Sequence, residues 1–265
     1  MIPFITYGHS DYIEILRIHV NGFGNSLWKH ILFINSSIDP DDEVLTRFDQ
    51  VIYYDDSKPY ASRMLECLQQ VKEDYFLLIL DTDIMLSVHT KTIDNFFDCM
   101  RLHDFDRIDL KQTFNFASSM IIDTSCWKTV LSKDIGDSLY LVKAEDPNDY
   151  IYNLNPSIWK KDSFVDMLTQ FPNHNYRQIE GGDVQQYCKK FKVFKLHAKK
   201  FLECGWFRCV HEFKFLHISH GGRLLPLNDE FVTPSGQSYV DCYQEYLNIY
   251  SMYKLKDIKL KHFLG

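Results

Sequence analysis

Short apolar runs alternate with helically spaced apolar positions through the first hundred residues. Ile2–Thr6 reads as a strand, and Tyr12–Val20 as a helix with Ile13, Leu16 and Val20 on one side. His30–Asn35 and Gln50–Tyr54 are further strands. Tyr60–Val71 gives the clearest helix, since Ala61, Met64, Leu65 and Leu68 follow the i, i+3, i+4, i+7 pattern of a buried stripe. Ser57 and Pro59 suit its start. Tyr75–Leu80 is apolar throughout, as in a strand covered on both faces. Thr90–Met100 follows as an amphipathic helix carrying Ile93, Phe96, Phe97 and Met100. This succession predicts an α/β fold with a mainly parallel central sheet flanked by helices.

The second half is less regular. Arg107–Thr113, Ser119–Asp123 and Phe213–Ser219 read as strands, and residues 133–155 as a polar loop. Ser157–Leu168 and Asp183–Phe191 read as helices. Tyr239–Tyr253 reads as a last helix with a stripe of Tyr243, Tyr246 and Tyr250. With no repeat, low-complexity stretch or linker, the chain reads as one domain, 1–265, in which 231–265 is a C-terminal helical extension.

Composition narrows the partners. At 45% hydrophobic and 25% charged residues, the chain is ordinary for a soluble globular protein. Its 20 Phe and 16 Tyr against four Ala suggest AT-rich coding, as in some parasites and large DNA viruses. The net charge of −7, with no basic run longer than two residues, disfavours a nucleic-acid partner. The seven cysteines are odd in number and none has C-x-x-C spacing, which fits reduced thiols in a cytosolic protein. The N-terminus lacks the regions of a signal peptide, and no apolar run approaches the ~20 residues of a membrane span. A soluble, cytoplasmic protein (in the host cytoplasm if viral) is expected.

The chemistry concentrates where Leu77-Leu78-Ile79-Leu80 runs into Asp81-Thr82-Asp83. Open α/β sheets bind ligands just outside the C-terminal ends of their strands. An apolar strand ending in two carboxylates one residue apart brings hard oxygen ligands to that edge. Mg²⁺ and Mn²⁺ suit such a site, taking one or two carboxylates plus substrate phosphates. The same spacing recurs at Asp104-Phe105-Asp106, but ahead of its strand, where it reads as a solvated loop.

At this point the chain resembles the GT-A-type glycosyltransferases, in particular a group from bacterial polysaccharide loci and large DNA viruses. The resemblance runs from about Thr6 to about Lys195. Tyr60-Ala-Ser-Arg63-Met-Leu65 precedes the acidic strand end, and Asn155-Pro-Ser-Ile-Trp159-Lys-Lys-Asp162 and an acid at Glu180 follow it. The resemblance implies a nucleotide-sugar donor, a glycan or glycoprotein acceptor and a Mn²⁺ or Mg²⁺ cofactor. Residues 1–113 would then bind the nucleotide-sugar and 114–230 the acceptor. Thr6 and Tyr7 would face base and ribose, Asp55 or Asp56 would accept hydrogen bonds from them, and Arg63 would reach the base or the diphosphate. Asp81, Thr82 and Asp83 would meet the donor, with Asp81 and Asp83 on the metal. Either Glu180 or Asp183 would be the base in an inverting reaction, and Asp183 has N-capping as its alternative role. A late histidine often adds a metal ligand in this fold, and His220, at a strand end, is the better placed of His217 and His220. Arg223 would pair with diphosphate. Trp159 would stack on an acceptor sugar, unless it is a core residue.

Three rival readings share parts of this pattern. A nucleotidyltransferase shares the metal logic but normally shows a Gly-rich, Lys-containing loop after its first strand, where this chain has Gly8 alone. A HAD-like phosphatase also has a strand before Asp-x-Asp, but carries Thr or Val where this chain has Met85. A catalytically inactive carbohydrate-binding module on the same scaffold would not need Asp81, Asp83, Glu180 and Asp183 together.

Overall fold

The apolar runs assemble into one eight-stranded sheet of order β3-β2-β1-β4-β8-β6-β9-β7. Its strands are β1 (Pro3–Tyr7), β2 (Lys29–Asn35), β3 (Gln50–Tyr54), β4 (Tyr75–Leu80), β6 (Arg107–Gln112), β7 (Leu139–Lys143), β8 (Ser157–Lys160) and β9 (Val193–Ala198). The computed structural model describes residues 2–23, 28–112, 139–143, 152–154, 156–198, 201–205, 207–220, 223–224 and 238–253, with single positions at 230, 232 and 236. β1 to β4 pair in parallel, as do β6 and β9, while β8 and β7 run against their neighbours. The expected α/β architecture with a mainly parallel sheet is the one observed.

The two-residue period of the strands divides the core. Phe4, Leu32, Leu77 and Ile79 lie on one face with α1 (Ile13–His19) and α3 (Thr90–His103). Ile5, Phe33, Phe76 and Leu78 lie on the other with α2 (Tyr60–Leu68), α4 (Lys161–Gln170) and α5 (Gly182–Cys188). A second layer of pairing joins β5 (Asp83–Val88) to β12 (Phe213–His217), in antiparallel register with His217 opposite Asp83. Short hairpins follow from β10 (Leu202–Cys204) with β11 (Phe207–Cys209), and from β13 (Ser219–His220) with β14 (Arg223–Leu224). α6 (Tyr243–Met252) is the last element described. Among the described residues no helix is long and apolar enough to cross a membrane.

Three local expectations change. Ser157–Lys160 is a strand and not the start of a helix, because it fills the gap between β4 and β6 and pairs with both. Residues 139–143, expected in a loop, form β7 at the sheet edge. Asp106 is not solvated like a free loop residue: its carboxylate accepts from Ser163 Oγ and, at 2.7 Å, from the Lys192 amide. The expected strand at 119–123 lies outside the described residues.

Candidate functional site

A cavity of about 610 Å³ opens at the C-terminal ends of β1, β3 and β4. Its aromatic wall begins at Tyr7, which stacks on Tyr54 (5.2 Å, 6°) and meets Tyr60 edge-on (5.2 Å, 75°). The Tyr54 hydroxyl donates to the Gly8 carbonyl at 2.8 Å, holding the turn after β1. Burial pushes the Tyr7 phenol up to about 12, so it stays neutral and a hydrogen-bond donor. Arg63, one turn into α2, lies 5.3 Å over the Tyr54 ring and pairs with Asp56 at 2.6 Å. It also donates to the carbonyls of Lys58 and Asp56 at 2.6 and 2.5 Å, so its guanidinium is held rigidly in the wall.

Asp81 follows β4 and sits at this cavity with 5% of its surface exposed. The His9 amide donates to Asp81 Oδ2 at 3.0 Å. Gly8 packs closely beside it: a Cβ there would stand 3.0 Å from the same oxygen, so a larger residue would press on the carboxylate. Burial, reinforced by Asp83, raises the Asp81 carboxyl to about 7 against the opposing His9 amide. His9 is itself fixed: Nδ1 accepts from the Asp11 amide at 3.0 Å, so Nε2 carries the proton and donates to Asp56 at 2.9 Å. A continuous chain Arg63–Asp56–His9–Asp81 thus joins the aromatic wall to the acidic strand end.

Asp83 opens β5 and is 1% exposed. Its Oδ1 accepts from His217 Nδ1 at 2.5 Å, across the β5–β12 register. Donation from Nδ1 leaves the lone pair of a neutral His217 on Nε2, and His217 lines the cavity with Asp81 and Thr82. Behind them His19 is fully buried, and desolvation lowers it to about 4, so it is neutral. Its Nδ1 lies 2.8 Å from the Asp83 carbonyl, which can only accept, so Nε2 must accept from the Thr6 hydroxyl at 3.0 Å.

The expected site residues separate accordingly. Tyr7, Arg63, Asp81, Thr82 and Glu180 line one cavity. Thr6 does not: strand alternation turns it to the opposite face, where it is fully buried against His19. Asp55 is exposed and closes a local turn with Ser57, while Asp56 braces Arg63 and His9. Glu180 accepts from the Leu154 amide at 2.7 Å on the cavity wall. Asp183 lies off that wall, its side chain 60% exposed and 3.0 Å from His174 Nε2; the hydrogen bond to His174 lowers its pKa. Trp159 is 1% exposed, packed 4.8 Å from the Phe164 ring and 5.7 Å from Tyr152. It is a core residue with no face for a sugar. His220 and Arg223 pair through the backbone of the β13–β14 hairpin, but their side chains, with Gly221 and Gly222, lie outside the described residues.

The sequence pattern does not single out His9, His19, Tyr54, Tyr60 or Tyr176, the last of which lines the same cavity, nor the contact of His217 with Asp83. The position of His9 just past β1 was a usable signal. The His217–Asp83 contact, spanning 134 positions, had none.

Among the described residues no three His, Cys, Asp or Glu side chains form a ready-made cage for a metal. The donors at the cavity, Asp81 with His217 and Asp83 behind it, fit a hard divalent ion that takes its remaining ligands from phosphate and water.

No protein-family model matches the chain, and no curated protein sequence matches it. Among solved structures, residues 1–349 of TarS from S. aureus superpose with a TM-score of 0.46 at 10% identity, over 76% of this chain and 59% of that one. A cytidylyltransferase from Leptospira borgpetersenii gives 0.47 at 9%, over 100% and 99%. The glycosyltransferase GlyE of Streptococcus pneumoniae gives 0.43 at 11%, over 73% and 44%. The chain thus spans less than two thirds of the TarS fragment. With TM-scores below 0.5, these likenesses settle neither fold nor activity.

Proposed function

We propose that this chain is a metal-dependent GT-A-type glycosyltransferase, moving a sugar from a nucleoside-diphosphate sugar to a hydroxyl of a glycan or glycoprotein acceptor. One observation carries the reading: a single cavity joins an aromatic and arginine wall to a buried carboxylate at a strand end. In this reading Tyr7, Tyr54 and Tyr60 form the apolar side of the base and ribose site, and Arg63 supplies fixed positive charge toward the diphosphate. Asp81, Asp83 and His217 hold Mn²⁺ or Mg²⁺, which when bound neutralises charge developing on the departing diphosphate. Thr82, on the cavity floor, contacts the donor. Glu180 takes the proton of the acceptor hydroxyl, supported by its place on the cavity wall. Its bond from Leu154 holds the carboxylate in one orientation.

Calorimetry with a nucleoside diphosphate tests the donor half. Binding is expected in Mn²⁺ and at least about tenfold weaker in EDTA, a loss of ~1.4 kcal/mol. Equal affinity in both would remove the metal from the reading. Glu180→Gln, which keeps the Leu154 acceptor, tests the other half: turnover should fall about 10²–10⁴-fold with diphosphate affinity unchanged.

A further inference from the structure

Part of the cavity wall comes from the segment 173–180, between α4 and α5. Ser62 Oγ and the Ala61 amide of α2 donate to the Pro172 and His174 carbonyls at 2.7 and 3.2 Å, which ties the segment to the start of that helix. Asn175 Oδ1 accepts from the Arg177 and Gln178 amides at 3.0 Å each, and Gln178 Oε1 accepts from the Asn175 amide at 3.0 Å. Ile179 is fully buried and anchors the turn from below. Tyr176 and Arg177 are therefore presented to the cavity from a fixed turn that leads directly into Glu180.

Both side chains differ from the other aromatic and basic groups of the wall. Tyr7, Tyr54 and Tyr60 are buried against one another, whereas Tyr176, edge-on to Tyr60 at 5.8 Å, is 42% exposed and keeps ring surface open. The C–H groups of a pyranose carry slight positive charge, which the negative face of an aromatic ring attracts. Burial, reinforced by Glu180, Asp83 and Asp81, pushes the Tyr176 phenol well above its usual range, so its hydroxyl stays protonated and can donate. Lys58 pairs with Glu66 and Arg63 with Asp56, but the Arg177 guanidinium has no partner among the described residues. Its planar fork matches a carboxylate or a phosphate. Arg177 and Glu180 are three residues apart about a 3-10 turn, where such positions overlie one another at ~6 Å. One sugar ring spans that distance.

We infer that Tyr176 and Arg177 form the acceptor subsite and that the acceptor is an anionic sugar. Its ring lies on Tyr176, its carboxylate or phosphate pairs with Arg177, and its reacting hydroxyl meets Glu180. The inference rests on the sugar-transfer reading for the fate of that hydroxyl, while the binding itself is measured without donor. Arg63 and the metal carboxylates already serve the donor diphosphate, and Arg177 belongs instead to the segment that carries the proposed base. Pairing with Arg177 offsets the repulsion an anionic acceptor meets from Asp83 and Glu180, and adds charge-assisted hydrogen bonds that a neutral sugar does not make.

The test is saturation-transfer NMR titration of the full chain with the methyl glycosides of glucose, galactose and mannose, their 6-carboxylates and their 6-phosphates. At least one anionic sugar is expected to bind about tenfold more tightly than its neutral parent, and the two anionic series tell carboxylate from phosphate. Arg177→Gln should erase that preference while leaving nucleoside-diphosphate affinity in Mn²⁺ within about twofold. Tyr176→Ala should weaken charged and neutral sugars alike by about tenfold. Unchanged melting temperatures would exclude unfolding as the cause; if Tyr176→Ala melts early, Tyr176→Leu repeats the test with similar bulk and no aromatic face. The inference is overturned if no anionic sugar binds more tightly than its parent, if the preference survives Arg177→Gln, or if neither Tyr176 variant weakens binding. Loss of diphosphate affinity in Arg177→Gln would also overturn it, by giving Arg177 to the donor. Failure of the wild type to bind diphosphate in Mn²⁺ would instead remove the donor reading, and the sugar titrations, run without nucleotide, would still decide this one.

Discussion

A carboxyl buried beside another acid holds its proton longer than one in water, and Asp81 is in that position. Its pKa rises from 3.8 unfolded to about 7 folded, mainly through burial. The folded state then binds the extra proton, so this contribution to stability is full below about 3.8 and is lost as pH rises through 7. His19 and His30, lowered to about 4 by burial, act in the opposite direction, adding stability as pH rises toward 6.5. The comparison with Asp81→Asn isolates the first effect. In EDTA, wild type should lose stability relative to the variant between pH 5 and 8, by at most ~1.4 kcal/mol per pH unit. Parallel melting curves across that range would show that Asp81 is ordinarily ionised. The second acidic pair gives a different contrast at the same scale. Asp83→Asn should abolish metal-dependent diphosphate binding. Asp106→Ala, which removes the acceptor for Ser163 and the Lys192 amide, should cost about 1–2 kcal/mol of stability and leave that binding unchanged. Denaturant melts and calorimetry on both variants separate the two roles.

At the scale of elements, the local patterns were legible and the distant pairings were not. β3 and β4 begin and end where their apolar runs do, and α2 carries the stripe its spacing announced. Tyr7, Arg63, Asp81 and Thr82 could be found because each follows or flanks such an element. β8 was hidden because a four-residue strand running straight into α4 lends its apolar residues to the helical period. β5 was hidden because its partner, β12, lies more than a hundred residues away, and only their pairing shows that Asp83 begins a strand facing His217. Trp159 carried the right chemistry for a sugar, yet the same apolar surface serves the core, and sequence does not distinguish the two. β5 also rests on Gly22, where a Cβ would lie 2.3 Å from the Met85 carbonyl oxygen. Gly22→Ala must push β5 aside, so a loss of about 1–3 kcal/mol is expected, together with weaker diphosphate binding in Mn²⁺. Gly182→Ala has open space around its Cβ and should change stability by less than about 0.5 kcal/mol. Equal melting temperatures for the two variants would show that β5 tolerates the displacement.

The whole molecule sets the electrostatic terms on which a phosphorylated donor arrives. The chain carries −7, and Asp83, with Asp81 once ionised, places negative charge where the diphosphate would lie. Of the cations on the cavity wall, Lys58 is paired with Glu66 and Arg63 is partly offset by Asp56, so Arg63 and Arg177 counter only part of the acidic charge. Without metal, an anionic ligand therefore meets repulsion of both local and long range, and added salt screens the long-range part over about a Debye length. Affinity for a nucleoside diphosphate in EDTA should accordingly increase, by about two- to fivefold, as ionic strength rises from low to physiological. With Mn²⁺ bound, the local sign inverts at the carboxylates. The same rise in salt should then leave affinity unchanged or weaken it, because attraction in place of repulsion is being screened. Titration calorimetry at two salt concentrations, with and without Mn²⁺, gives the four affinities. A salt dependence of the same sign in both conditions would mean that the ion does not sit between the acids and the diphosphate.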